Sequence, residues 1–274
     1  MPNIFENSGP DKGEREGLGG IASELDLGER ENIAIIGGGG KTSLMFALAE
    51  ALSLNGKRVV ATTTTKVFQG EAERYPEIIL PGSGEINLET LKESLEKQKY
   101  VFIGHRVTES GKIEGISGDQ ADRLFENEWI DYVISEADGS AGRPLKAHAA
   151  HEPVIPDSAT MVIAVAGLEA LGKKIGPDIV FREELFLELM GMYAGDLISE
   201  EVLAEIFLTP DGLFKGTPSN SRRVAFFNKI DRIHDERAPG RLARLILGKD
   251  NADVDFVVTG SLVKGSFSVY RKSV

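Results

Sequence analysis

A mostly parallel, doubly wound α/β sheet in three α/β/α layers is the fold class this sequence predicts, and three observations predict it. Apolar runs of strand length alternate with segments of helical period along the chain. The apolar run Ile33–Ile36 breaks into four glycines, Gly37, Gly38, Gly39 and Gly40, then Lys41-Thr42-Ser43, then Leu44, Phe46, Ala47, Leu48 and Leu52 at helical spacing. Later apolar runs end in polar or charged residues, the pattern of strands whose carboxyl ends gather a ligand. Strand, glycine turn, Lys-Thr and helix in that order point to a phosphate group, because a helix start offers unpaired N–H groups and the positive end of its dipole. The fold expected is therefore of the P-loop NTPase-like type.

The elements follow in order. Residues 1–20 are polar and glycine-rich without periodicity and are expected to be a flexible leader, followed by a short helix around Ile21–Leu27. Residues 21–274 are expected to form one α/β nucleotide-binding domain, with room for a small insertion around residues 100–118. After the glycine turn and its helix, which Gly56 closes, "RVVATTTTK" reads as the second buried strand. "INLETLKESLEKQ" reads as a helix, "YVFIGHRV" as a strand, and Ser110-Gly111 as a hairpin turn. "GDQADRLFENE" is expected to be helical, and "DYVISEADG", "ATMVIAVAG", "SRRVAFFNKID" and "ADVDFVVTG" to be strands. Between them lie a helical stretch from Phe181 to Phe207 and a helix near Arg241–Leu247.

Composition narrows the chemistry. The 274 residues are 41% hydrophobic and 27% charged, enough to bury a large core. A net charge of -12 argues against a nucleic-acid or anionic-membrane partner, while leaving room for a local basic pocket. There is no cysteine, so disulfides, thiolate catalysis and thiolate metal sites are excluded. No signal peptide or long apolar span is evident, and a cytoplasmic location is expected.

The glycine turn departs from the common G-x-x-x-x-G-K-T/S loop. Its first glycine would fall on Ile35, so the turn is written Gly37-x-x-Gly40-Lys41-Thr42, two residues shorter. A similar short form occurs in ATP-binding domains of the Mur ligase type. The expected roles are phosphate contacts from the Gly37–Gly40 amides and Lys41, with the Thr42 hydroxyl on Mg²⁺.

If the sheet is parallel, other strand ends meet this turn. Thr62–Thr65 and Lys66 bring hydroxyls and an amine, so Thr63, Thr64, Thr65 and Lys66 are candidates for the terminal phosphate or magnesium. In "VISEADGSAGRPLKAH", Glu136 and Asp138 end a buried strand, as carboxylates do that hold magnesium or orient an attacking water. Arg143 and Lys146 would return positive charge to the phosphates. "NKID" places Asn228, Lys229 and Asp231 in the N-K-x-D pattern that reads guanine, so GTP is suggested over ATP. "GLEALGKKIG" is expected to be a loop for a substrate or partner. His148 and His151 lie three apart, but Pro153 and Pro156 argue against a helix, so surface or hydrogen-bonding roles are expected instead of a metal site.

Taken together, "IIGGGGKTSLMFALAEAL", "GKRVVATTTTKVF", "SEADGSAGRPLKAHAAHEPVIP", "GLEALGK", "GLFKGTP" and "NKID" resemble the YqeC family, described as accessory proteins of selenium-dependent molybdenum hydroxylases or selenium cofactor biosynthesis proteins. The resemblance covers nearly everything after the leader, and "EADG-x-A-GRPLKA" is its most specific element. It implies a nucleotide-dependent step in maturing or inserting a selenium-containing molybdenum cofactor, with a molybdenum hydroxylase or its cofactor as partner.

The residues themselves favour a Mg²⁺-dependent nucleoside triphosphate-binding protein that hydrolyses its ligand, with Lys41, Glu136, Asp138 and Arg143 as the catalytic group. Two other readings stand beside it. One is a small-molecule kinase or Mur-like ligase, and the other is a non-catalytic chaperone that binds a phosphorylated cofactor. The sequence leaves the oligomeric state open.

Overall fold

The computed structural model describes residues 4–7, 20–82, 84–250 and 252–272. Strand β1, Ile4–Asn7, and helix α1, Gly20–Glu24, come first; the rest of the expected leader, apart from Gly20, lies outside the described residues. The phosphate-loop unit is β2, Glu31–Gly37, helix α2, Lys41–Leu54, and β3, Val59–Thr63. Short pieces follow: β4, Lys66–Phe68; α3, Gln69–Ala72; and β5, Ile78–Ile79. Next come α4, Leu88–Gln98; β6, Tyr100–Ile103; the hairpin of β7, Arg106–Val107, and β8, Lys112–Glu114; α5, Gly118–Phe125; and β9, Tyr132–Glu136. The second half holds β10, Leu145–Lys146; β11, Met161–Gly167; β12, Val180–Phe181; α6, Glu183–Met190; α7, Glu200–Leu208; and β13, Arg222–Asn228. It ends with α8, Ala238–Leu247; β14, Phe256–Ser261; and β15, Ser266–Lys272.

Ten strands form one sheet in the order β1-β15-β14-β13-β11-β2-β9-β3-β6-β5. All pairs from β14 to β5 are parallel, while β15 and β1 add an antiparallel edge. The mostly parallel α/β class is therefore what the chain forms. Its three layers follow from period-two alternation in buried strands. In β2, Ile33 and Ile35 pack under α2 with Leu44, Met45 and Leu48, whereas Ala34 and Ile36 face Phe186, Leu203 and Leu242 of α6, α7 and α8. On that second face α4 and α5 cover β3, β6 and β9 through Leu91, Leu95, Ala121 and Leu124 against Val60, Val101 and Val133.

Local signals set the helix boundaries. Asn87 caps α4 by accepting from Glu89 and Thr90 N–H, and Ser117 with Gln120 forms a capping box on α5. The stretch read as helical from Phe181 to Phe207 is two helices, because Gly191 in the left-handed conformation ends α6 and Ser199 caps α7. "YVFIGHRV" likewise divides at Gly104-His105, where the chain leaves the main sheet for the β4-β8-β7 sheet. Among the described residues no helix is long and apolar enough to cross a membrane.

The order of strands decides where a ligand can sit. From β2 the chain runs outward to β3 and the edge strand β5, comes back through β6 to β9 beside β2, then crosses to β11 on the other side and continues to β13 and β14. The direction of winding reverses around β2, and such a reversal opens a crevice at the strands' carboxyl ends. The paired register places Gly37, Glu136, Gly167 and Asn228 on this one rim.

Candidate functional site

The turn after β2 is held by its own protein. Gly37 N–H donates to Asp138 Oδ2 at 2.9 Å, Gly38 N–H to Val165 O at 2.8 Å and Gly39 N–H to Arg143 O at 2.9 Å. A Cβ on Gly37 would stand 2.2 Å from Val165 O, and one on Gly39 2.3 Å from Gly167 N, with both residues at positive φ. The glycines are thus required because β11 and the segment before β10 press against the turn. This corrects the expectation that the Gly37–Gly39 amides face a phosphate. The donors without a protein partner among the described residues lie one step later, on Gly40, Lys41, Thr42 and Ser43, at the start of α2, whose cap carries no side-chain hydrogen bond. Four successive N–H groups and the helix dipole there make an anion seat.

Lys41 sits at the centre of the site with only 2% of its surface exposed. Its ammonium donates to Gly37 O at 2.7 Å and Ser140 Oγ at 3.1 Å, and pairs with Asp138 Oδ1 at 3.2 Å and Glu136 Oε1 at 3.4 Å. Burial alone would lower its pKa; the two carboxylates prevail and raise it. Thr42 Oγ1 donates to Glu136 Oε2 at 2.7 Å. Burial raises the Glu136 pKa against the opposing pull of Lys41 and Thr42.

Asp138 is the hub. Besides Gly37 N–H and Lys41, its Oδ2 lies 2.6 Å from His148 Nε2 and 3.2 Å from Lys146 Nζ. Burial would raise its pKa, yet Lys41, His148 and Lys146 hold it far below the carboxylate range. The folded value lies below the unfolded one, so the ionised carboxylate contributes stability above about pH 4, and that contribution fades as pH falls toward the folded value. Urea unfolding from neutral pH down to about 3 should show this loss, and the Asp138→Asn variant should show a flatter profile; parallel profiles would remove Asp138 as its source.

Several residues expected at the phosphates have other partners. The Arg143 guanidinium points outward, donating from Nε to Pro177 O at 2.6 Å with Asp178 nearby, and it is the Arg143 carbonyl that serves the loop. Lys146 is fully buried, donating to Gly139 O at 2.7 Å and pairing with Asp138 and with Glu152, which Arg182 grips through two nitrogens. Thr63 and Thr64 hydroxyls donate to Glu136 O and Val154 O, leaving Thr65 and Lys66 on the cavity. Of the surface and hydrogen-bonding roles expected for His148, the structure gives the second, with the ring buried against Asp138 and Gly212 O, and the partner is what sequence reasoning did not supply. The signal was present, since Lys146 and His148 stand two apart in extended chain and so share a side.

The "NKID" segment lies across the loop. Asn228 Nδ2 donates to Gly39 O at 2.8 Å, and its Oδ1 accepts from Leu262 N–H at 3.2 Å. Lys229 pairs with Glu169 of the "GLEALGK" turn. Lys229, Asp231, Arg74 and Leu262 line a cavity of about 590 Å³ that begins at Gly40 and Ser43. A second cavity, of about 460 Å³, starts from the same residues and runs past Lys41, Thr42 and Glu136. One trough therefore leads from the "NKID" side across the start of α2 to the carboxylates.

The donor set can be tested against a divalent cation. No group of three metal-ligating side chains occurs among the described residues, so an all-protein cage is not offered. Thr42 Oγ1 and Glu136 in contact at the seat do fit a hard cation that takes its remaining ligands from phosphate and water.

Comparisons with known proteins bear on the same stretch. The family model described as YqeC protein matches residues 33–184. A relative in Escherichia coli (strain K12), "Uncharacterized protein YqeC", is 34% identical over 221 residues, which are 80% of this chain and 84% of the relative. Among solved structures, chloroplast FtsY from Physcomitrella patens superposes with a TM-score of 0.40 at 13% identity, over 91% of this chain; the chain spans 64% of that structure's length. The family match runs from β2 through the Asp138–Arg182 network, and with an identity of this extent over most of both chains, this protein belongs to the YqeC family.

Proposed function

We propose that this protein binds a nucleoside triphosphate with Mg²⁺ along the trough and hydrolyses it. The observation that carries the reading is the seat at the start of α2: four unpartnered N–H groups, a buried ammonium, and a hydroxyl already joined to a carboxylate. Phosphoryl transfer needs positioning and charge stabilisation more than covalent chemistry, so this set is chemically sufficient.

In this reading the Gly40–Ser43 amides and Lys41 hold the outer phosphates. Thr42 and Glu136 would hold Mg²⁺, which supplies charge neutralisation on the phosphate oxygens. Asp138 keeps the loop and Lys41 in place, and the Glu136 oxygen that faces Lys41 would orient the attacking water. With Arg143 and Lys146 engaged elsewhere, Lys41 is the cation seated in the loop, and intrinsic turnover should be slow. The base lies toward Lys229 and Asp231, where a carboxylate suits the ring N–H and amino group of guanine, making GTP the preferred ligand. The family resemblance supplies the setting proposed for this turnover: maturation or insertion of a selenium-containing molybdenum cofactor in a molybdenum hydroxylase.

Binding and phosphate release measured with ATP, GTP and CTP, each with and without Mg²⁺, test the proposal. The expected result is Mg²⁺-dependent binding with GTP ahead by at least about tenfold, and slow phosphate release. No binding of any triphosphate would overturn it.

A further inference from the structure

The cavity beside Thr42 extends well past the phosphate seat. Beyond Gly40–Ser43 and Glu136 it is walled by β4, Lys112 of β8, the Gly139–Gly142 turn and Phe181. Strand alternation makes that outer wall. Val67 and Ile113 enter the core, so Lys66, Phe68 and Lys112 turn the opposite way, onto the cavity. The ladder sets Phe68 opposite Lys112, whose ammonium lies 4.7 Å from the ring centre.

Three features of this wall face the cavity. Phe68 is 59% exposed. Neither Lys66 nor Lys112 has an ion-pair partner among the described residues, for Glu114, opposite Lys66 in the ladder, is taken by Arg106. A second ring, Phe181, lines the same cavity with the Lys146 and Arg182 cations at 5.6 and 5.2 Å from its centre. In a chain of net charge -12, this cavity is lined by four lysines, Lys41, Lys66, Lys112 and Lys229, against three glutamates, Glu71, Glu136 and Glu152, and with its two rings it favours an anion with a flat face.

We propose that this wall is a second ligand site, for a small molecule that combines a planar ring with an anionic group. Phe68 and Phe181 receive the ring, and Lys66 and Lys112 receive the charge. The placement rests on the nucleotide reading only in that the new ligand would then lie at the outer-phosphate end of the triphosphate, as an acceptor or effector would.

The test uses 1-naphthyl phosphate as probe, with 1-naphthol and inorganic phosphate as its two halves. Fluorescence titration is run with the seat filled by a non-hydrolysable GTP analogue, and again on Lys41→Ala protein without nucleotide. The expected result is saturable binding of the probe in both, at least tenfold tighter than either half. Phe68→Ala, and separately the Lys66→Ala/Lys112→Ala pair, should weaken it tenfold or more, and Phe68→Ala should leave triphosphate affinity within twofold. These exposed or partly buried positions lie off the core, so the fold should persist. Displacement of the probe by the GTP analogue, or equal binding by the variants, would overturn the site. Should the protein bind no triphosphate at all, the Lys41→Ala titration still decides this question alone.

Discussion

Lys41→Ala protein is expected to lose triphosphate affinity by at least about 100-fold, or ~2.7 kcal/mol, together with any phosphate release. The reason is specific: no other ammonium sits within the loop, and the Gly40–Ser43 amides alone carry only partial charges. The substitution also leaves Glu136 and Asp138 buried with one cation fewer, so stability should fall by roughly 3 kcal/mol, which thermal unfolding reads separately. Lys41→Arg distinguishes the two effects. It keeps the charge and much of the stability, yet its planar fork cannot occupy the place of a compact ammonium, and binding should still drop about tenfold or more. Full affinity in both purified, folded variants would remove the loop from the mechanism.

The second large effect concerns the base. Asp231→Asn is expected to lower GTP affinity about 100-fold and to raise affinity for xanthosine triphosphate in compensation. A carboxylate accepts from the ring N–H and amino group of guanine; the amide of asparagine instead offers a donor to the oxygen that xanthine carries at that position. Asp231 is exposed and lies on the cavity wall, so the exchange should leave the fold undisturbed. Competition against a fluorescent triphosphate measures both changes at once. If the variant and the parent protein bind ATP and GTP alike, guanine reading by this segment is wrong.

The fold was legible wherever an element carried its own signal. Ile33–Ile36, the helix spacing after Lys41 and the apolar runs before Glu136, Gly167 and Asn228 are buried strands or helices by local pattern, and the sheet follows from their alternation. Ser266–Lys272 was passed over because only Val269 and Tyr270 of it are buried and its ladder partner, β14, makes it an antiparallel edge. At the site, Lys41, Thr42, Glu136 and Asp138 were legible because each stands within a few residues of a strand's end, where backbone direction fixes position.

Side-chain direction was less legible, since it depends on neighbours remote in sequence. Arg143 turns outward because Pro177 and Asp178 accept it, 34 and 35 residues on. The four glycines were read as room for a ligand, yet room is demanded equally by a neighbouring strand, and Val165 and Gly167 occupy much of it. The same ambiguity attaches to Asn228, which is committed to Gly39 O and Leu262 N–H.

The ammonium of Lys41 is already engaged on two sides before any guest arrives. An approaching polyphosphate must therefore win it from Glu136 and Asp138, and would set its own oxygens facing both carboxylates as it does so. A divalent counter-charge arriving with the nucleotide relieves that repulsion. On the proposed function the site would be a selector for the metal-complexed ligand: a nucleotide stripped of its cation should be turned away by the groups that keep the lysine in reserve.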